Sequence, residues 1–531
     1  MSSIRKRFFF SAGANAGRAL ISLAVGMLVA RGLGPADYGN LSYLLGSFWA
    51  IRALLDLGSS SAFYTFIAQR GRSYHYYVAY FAWLAFQFLF SLALVVLILP
   101  AELIAQFWLG LERELILLAL LATFLQNQVW LTVAQMYESV RQTIRIQMAG
   151  VLVVLVHMVL VAAMLLGDWL SVRAVLWAIA GEYFLAAAWL SVTLRKSYAA
   201  MGAGLVPDEH KADDFRTVLA AYAHYCRPMA VIAVFSFAYE FTVRWLLQRY
   251  GGASQQGFYQ VAAQLSAISL LASVSILNIF WKEIAEANER GARERVAVLY
   301  RKTTQSLVFL AALVSCFFAP WAEMLVDVLL GSAYHAAWPV LLLMLFYPIH
   351  QAVGQINATL FMATGQNSVY MKITVVGLLV NIPVAYALIA PATEWGGIGL
   401  GLGAMGLAVS TVGLNFLFVN VQSWVISRYY GIAFEWLDQL GALAVLLLIA
   451  YVCKFVALEL QALVLPSFDF SGRLPMIVGM LLTGVAYLAA SFALVIRLPK
   501  LMGMQREELN SYLTKITATI RTVCNSQQMK F

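Results

Sequence analysis

Eight ionisable side chains stand where this 531-residue sequence is otherwise apolar: Arg18, Arg52, Asp56, Glu182, Arg227, Glu240, Arg244 and Lys454. Arg52 and Asp56 are spaced i and i+4, as are Glu240 and Arg244, so on a helix each pair shares one face. The chemistry open to such a set is electrostatic. Arginine holds phosphate oxygens in pairs through a planar fork that stays charged. A carboxylate nearby balances that charge, or carries a proton where burial raises its pKa. Arg18, Arg52 and Arg244 are therefore candidate binders of an anionic cargo, with Asp56, Glu182 and Glu240 as candidate balancing or coupling groups. Pairing within one helix and snorkelling of the charged heads to the interface is the competing explanation, and the simpler one for Arg227, Arg244 and Lys454. His157 and His350 lie mid-segment, where a hydrogen-bonded packing histidine is a simpler reading than a proton relay. The sequence has no metal-ligand spacing, nucleophile motif or P-loop. Gly401-Leu402-Gly403-Ala404-Met405-Gly406 matches GxGxxG in form, but it lies inside an apolar Gly-rich segment, which points to close helix packing.

These charges need elements that can hold them in an apolar medium. Hydrophobic residues make up 62% of the chain and charged ones 11%, against about 25% charged in soluble domains. Lipid must therefore solvate most of the surface, and the fold class is an all-α polytopic membrane protein. Apolar stretches long enough to span a bilayer fall near 8–31, 40–67, 75–99, 114–136, 146–167 and 173–194. They continue near 224–248, 257–281, 304–330, 336–362, 370–391, 397–421, 437–458 and 474–496, which makes about fourteen spans. The first run exceeds a signal-peptide core, so it reads as a retained helix.

With the N-terminus inside, basic residues crowd the cytoplasmic segments, from Arg5-Lys6-Arg7 to Arg521 and Lys530. Only Arg31, Arg113, Arg173, Arg249 and Arg473 fall on the other side. This positive-inside bias supports the span count and places both termini in the cytoplasm. It also accounts for the net charge of +9 without nucleic acid as a partner. The four cysteines, Cys226, Cys316, Cys453 and Cys524, imply no disulfide framework. The polar stretches near 195–220, 282–303 and 497–531 are too short for a catalytic domain, so the chain reads as no enzyme. A glycan polymerase or ligase would need a large external loop. The tail spaces Met502, Leu509, Leu513, Ile516, Ile520 and Val523 at near-helical intervals, as an interfacial helix or, alternatively, a docking helix would.

The chain also repeats itself. Arg31, Gly34 and Gly39 recur at identical spacing as Arg249, Gly252 and Gly257. Pro100 and Gly110 match Pro320 and Gly331, and Arg145 and Gly150 match Lys372 and Gly377. The offset stays near 220 residues, which implies two six-helix halves in parallel orientation. The expected domains are an N-terminal bundle at 1–197, a cytoplasmic linker at 198–220, a second bundle at 221–425, helices 13 and 14 at 426–498, and a cytoplasmic tail at 499–531.

Leu33-Gly34-Pro35-Ala36-Asp37-Tyr38-Gly39 resembles the LGPxxYG turn of the polysaccharide transporter family, which includes the O-antigen and exopolysaccharide repeat-unit flippases of the multidrug/oligosaccharidyl-lipid/polysaccharide exporter superfamily. Asp56-Leu57-Gly58, the run from Pro320 to Tyr334, and Trp395-Gly396-Gly397-Ile398-Gly399 are similar to further segments of that family; Leu400 and the extra glycines depart from it. The resemblance implies two six-helix bundles around a central cavity plus two C-terminal helices. It also implies outward flipping, by alternating access in the bacterial plasma membrane, of an undecaprenyl-pyrophosphate-linked oligosaccharide. No cofactor is implied beyond a coupling H+ or Na+; membrane lipid and a polymerase or chain-length complex would be the partners. Arg18 and Arg52 fall where related lipid II flippases carry arginines on helices 1 and 2, and Asp37 corresponds to an acidic residue after their first loop. The alternative within the superfamily is a cation-coupled drug or metabolite antiporter, for which a net basic set of buried charges is unsuited.

Overall fold

The computed structural model describes residues 2–69, 74–200, 214–270, 273–394, 397–432, 436–464, 473–503, 506–508 and 510. Much of the expected linker at 198–220 and of the tail at 499–531, together with Trp395 and Gly396, lies outside these residues. Every regular element among them is helical. In chain order they are α1 (Ser2–Asp56), α2 (Ser59–Gln69), α3 (Tyr74–Ala93), α4 (Ala101–Phe107), α5 (Arg113–Phe124), α6 (Trp130–Ser139), α7 (Thr143–Leu166), α8 (Val172–Ala200), α9 (Phe215–Leu246) and α10 (Ala253–Ser266). There follow α11 (Ser273–Glu289), α12 (Arg293–Phe318), α13 (Ala322–Leu329), α14 (Trp338–Met344), α15 (Tyr347–Ala363), α16 (Asn367–Ile389), α17 (Gly403–Tyr430), α18 (Trp436–Val464) and α19 (Arg473–Arg497).

Among the described residues, 11 helices are long and apolar enough to cross a membrane, or 12 if the bent pair Ser332–Met344 and Tyr347–Ala363 forms one span. The sequence led us to expect about fourteen, and two local causes account for much of the difference. The first two expected spans share the continuous helical stretch Gly13–Asp56, which bends at Gly34. The eighth is divided between α10, of 14 residues, and α11, of 17, each too short to cross a bilayer by itself. Large apolar side chains such as Leu166, Leu185, Leu448 and Leu482 are exposed along these helices, as a lipid-facing surface requires.

The chain forms two compact units: residues 1–265 with 329–340 and 374–411, and residues 266–328 with 341–373 and 412–531. Within the first, α1 breaks at Gly34 (φ 75°, ψ 171°) ahead of Pro35. The path from α9 breaks at Gly252 (φ 83°, ψ 171°) ahead of Ala253. Both lie in a region that only glycine occupies readily. The repeated glycines of the sequence are thus repeated backbone conformations, at an offset of 218 residues (34 to 252). Gly110 and Gly331, the second matched pair, also share positive φ, at 78° and 89°.

The two broken turns cross. A Cβ on Gly39 would stand 1.8 Å from the Ala253 carbonyl oxygen, and one on Gly257 would stand 2.2 Å from that of Pro35. Gly39 and Gly257 are equivalent under the offset, and so are Pro35 and Ala253, so each turn packs on the other as it is packed upon. The Gly-rich segment ahead of α17 folds back on the end of α16. A Cβ on Gly399 would stand 2.1 Å from the Ala390 carbonyl oxygen, and one on Gly406, the last glycine of the GxGxxG match, 2.6 Å from that of Leu388, so the match lies in close packing.

The second unit is built on α12, whose face of Val296, Tyr300, Leu307, Val308, Ala311, Ala312 and Cys316 is buried with Ile349, Val353, Ile356, Leu360 and Leu446. One polar network crosses it. Tyr300 donates to Asn357 Oδ1 at 2.8 Å, and Asn357 Nδ2 donates to Ser423 Oγ at 3.0 Å and Val419 O at 3.2 Å. Lys454 of α18 donates to Pro320 O at 2.7 Å and lies 4.8 Å from the Trp321 ring centroid. Cys226, Cys316 and Cys453 are free thiols.

Candidate functional site: the buried charges of the first unit

Arg18 lies near the start of α1, half-buried. Its guanidinium donates to Asn15 Oδ1 at 3.2 Å and packs against Gly150 of α7, where a Cβ would come within 3.2 Å of Nη1. No carboxylate lies within ion-pair distance of Arg18 among the described residues. The glycine at 150, picked out in the sequence as part of the repeat, is what lets an arginine lie flat on α7.

Arg52, nearly five turns beyond Pro35 on the second arm of α1, has its Nε buried without a hydrogen-bond partner. Its Cζ lies 6.0 Å from the Trp49 ring centroid. The expected partnership with Asp56 takes a different form. Helix α1 ends at Asp56, and the chain turns through Leu57 (φ 52°) and Gly58 (φ 84°) into α2. Asp56 caps that helix: Oδ1 accepts from Ser59 Oγ at 2.9 Å and Ser60 N at 3.2 Å, and Oδ2 accepts from Ser60 Oγ at 2.8 Å. No ion pair joins it to Arg52 within 4.0 Å.

Glu182 of α8 meets His157 of α7, carboxylate Oε1 to imidazole Nδ1. The glutamate side chain is 4% exposed, and its Oε2 has no hydrogen-bond partner. Sequence reading singled out both residues without joining them, since 25 residues and a turn separate them. Glu240 and Arg244 pair within α9 at 2.5 Å, which is the intrahelical arrangement the spacing allowed. Asp37 is exposed on the turn after Pro35, apart from the buried arginines, and Arg227 is exposed too.

A band of amides and hydroxyls beside Arg52 was missed in the sequence. Gln128 Nε2 donates to Gln87 Oε1 at 2.6 Å, linking the π turn Leu125–Val129 to α3. Tyr80 and Thr132 meet at 3.2 Å a turn below. The signal was present: Gln87, Gln126, Asn127 and Gln128 interrupt the apolar runs 75–99 and 114–136. Such π turns place extra side chains inward and recur at functional sites.

No protein-family model matches this sequence, and no curated protein does. Solved structures do. A lipid II flippase, MurJ, in an inward closed conformation is similar with a TM-score of 0.64 at 13% identity, over 92% of this chain and 99% of that one. An inward-facing multidrug resistance MATE family transporter of the MOP superfamily is similar with a TM-score of 0.53 at 16% identity, over 77% and 95%. A MOP superfamily transporter from Pyrococcus furiosus, reported for the reverse polarity of its binding pocket, has a TM-score of 0.52 at 15% identity, over 80% and 95%. The chain has the fold of these transporters and is a multi-pass membrane protein.

Proposed function

We propose that the protein is a flippase that moves a lipid-linked oligosaccharide repeat unit, carried on undecaprenyl pyrophosphate, from the cytoplasmic to the outer leaflet of the bacterial plasma membrane by alternating access between two six-helix halves. Both termini lie in the cytoplasm, and the product feeds O-antigen, capsule or exopolysaccharide synthesis. The observation that carries this reading is an imbalance of charge. Arg18 and Arg52 form no ion pair among the described residues, whereas Asp56 is hydrogen-bonded as a helix cap and Glu182 meets His157. Two guanidinium groups that form no ion pair inside an apolar unit suit a phosphate-bearing cargo. In this role Arg18 and Arg52 hold the pyrophosphate, Arg244 adds to the grip when it leaves Glu240, and Glu182 with Asp56 supplies balancing or proton-coupling charge. The fold likeness to a lipid II flippase supports the lipid-linked class.

The drug-antiporter reading draws on the same fold likeness, but organic cations would need the acids unengaged and the arginines paired. The test is replacement of Arg52 or Arg18 by Ala in a strain lacking the chromosomal copy. Surface glycan should be lost while the protein remains in the membrane. Glycan export that survives both substitutions overturns the phosphate grip, and drug sensitivity without any glycan defect favours the antiporter.

A further inference from the structure

A half-open cavity of about 430 Å³ lies within the second unit, at the end where α12 and α18 begin and α17 and α19 finish. Ligand sites usually hold about 300–1,000 Å³. The walls are sorted by depth. On α12, Arg301 and Gln305 lie nearer the helix end, and Val308 and Phe309 lie further in. On α18, Gln439 precedes Ala442 and Val445; on the way out of α19, Leu494 precedes Leu498 and Lys500. The ends of spans meet the bilayer surface, so the charges stand at that surface and the apolar walls face its interior. Lys500 belongs to the turn Pro499–Met502, which is fastened to α12. Ser306 Oγ donates to Met502 O at 2.8 Å, and Lys302 Nζ donates to Glu508 Oε1 at 3.0 Å. The turn thereby holds Lys500 on the same cavity as Arg301.

The order of the lining selects the ligand. Arg301, Thr304 and Val308 share one face of α12, with Thr304 about 4.5 Å and Val308 about 10.5 Å along the axis from Arg301. Thr304 is 5% exposed, and its hydroxyl has no hydrogen-bond partner within 3.5 Å. Tyr300 and Ser423, also on the wall, are engaged with Asn357. Charge, unpaired hydroxyl and apolar wall follow one another as phosphate, ester carbonyl and acyl chain do in a glycerophospholipid. None of the described side chains that line the cavity is a carboxylate, so a purely cationic ligand finds no partner there. A soluble phosphate would leave the apolar walls without contact. A polyprenyl phosphate has charge and chain but no ester for Thr304. Basic pockets between spans suit anionic headgroups. We propose that this cavity binds one anionic glycerophospholipid of the surrounding leaflet. Its phosphate sits on Arg301 and Lys500, an ester carbonyl accepts from Thr304, and one acyl chain runs along Val308, Phe309 and Val445. The inference is independent of the transport reading, whose residues all lie in the first unit.

The probe is phosphatidylglycerol on the purified, delipidated full-length protein, with phosphatidylcholine of the same chains and undecaprenyl phosphate as comparators. Native mass spectrometry should show one phosphatidylglycerol retained, and Tm in detergent should rise saturably with it. Lys500→Glu should weaken the apparent affinity by about tenfold, as loss of a charged hydrogen bond does, and Lys500→Arg should keep it. Lys500 is exposed on its turn, so these exchanges leave the fold intact. Thr304→Val should weaken phosphatidylglycerol and leave undecaprenyl phosphate unaffected. Phosphatidylcholine held as tightly, or undecaprenyl phosphate retained in place of phosphatidylglycerol, overturns the site. Affinity for phosphatidylglycerol unchanged in Lys500→Glu or in Thr304→Val overturns it as well. None of these measurements reads glycan export, so this site and the phosphate grip of the first unit fail separately.

Discussion

The Arg244 side chain lies across Gly46: a Cβ there would come 2.7 Å from Nε. Gln264 lies across Gly26 in the same way, with Nε2 at 2.1 Å from the corresponding point. Gly26 and Arg244, like Gly46 and Gln264, are 218 residues apart (26 to 244, 46 to 264), so the two contacts are one contact repeated. The half-buried Arg244 therefore rests on a glycine that the repeat supplies, while in the repeated contact the side chain lying over the glycine is an uncharged amide, Gln264. The repeat makes the scaffold symmetric and the charges break that symmetry.

This distinguishes two kinds of glycine. At Gly46 an added methyl meets the end of a flexible side chain, which can move. At Gly39 and Gly257 it meets a backbone carbonyl, which cannot move without shifting a helix. Gly39→Ala and Gly257→Ala should each destabilise by about 1–3 kcal/mol or more, the range for overpacking. Gly46→Ala should cost less, and Gly413→Ala, which has open space around it, should be neutral or stabilising. Tm of the four variants in detergent, ranked in that order, checks the prediction.

Asp56 should behave as a cap. Asn caps a helix as well as Asp does, and Ala removes the bonds to Ser59 and Ser60. Asp56→Ala should lose about 0.5–2 kcal/mol and Asp56→Asn only a small part of that. Equal losses in chemical-denaturant unfolding would show that the charge, not the cap, holds the turn.

Glu182 and His157 should couple. Removing either leaves the other buried without its partner, so Glu182→Leu and His157→Leu should each cost more than half of what the double variant costs. A double-mutant cycle should give a coupling of about 0.5–3 kcal/mol. Additive effects would mean that the contact contributes nothing.

Lys454 should act as a tether between α18 and the turn after α12. Lys454→Met removes both the bond to Pro320 O and the contact with the Trp321 ring. The expected loss is about 1–2 kcal/mol. If Lys454→Met unfolds at the same temperature as the unaltered protein, the lysine is snorkelling and nothing more.

Periodicity and composition were enough to establish a helical membrane protein, because a bilayer leaves few other ways to satisfy the backbone and each apolar run of sufficient length is a local signal. The glycine repeat was legible for the same reason: Gly34 and Gly252 answer to local backbone geometry, which needs no partner to be recognised. The span count was less legible, since α1 runs on through Pro35 and the expected eighth span is divided into two shorter helices, α10 and α11. Which charges meet was decided only in three dimensions. Spacing put Arg52 with Asp56 on one helical face, yet a turn at Leu57-Gly58 gave the carboxylate a nearer set of donors in Ser59 and Ser60. Glu182 found His157, and Gln87 found Gln128, across helices whose register no local pattern encodes. The pairing of buried polar groups is set by which helices pack and at what rotation, and that is a property of the whole chain.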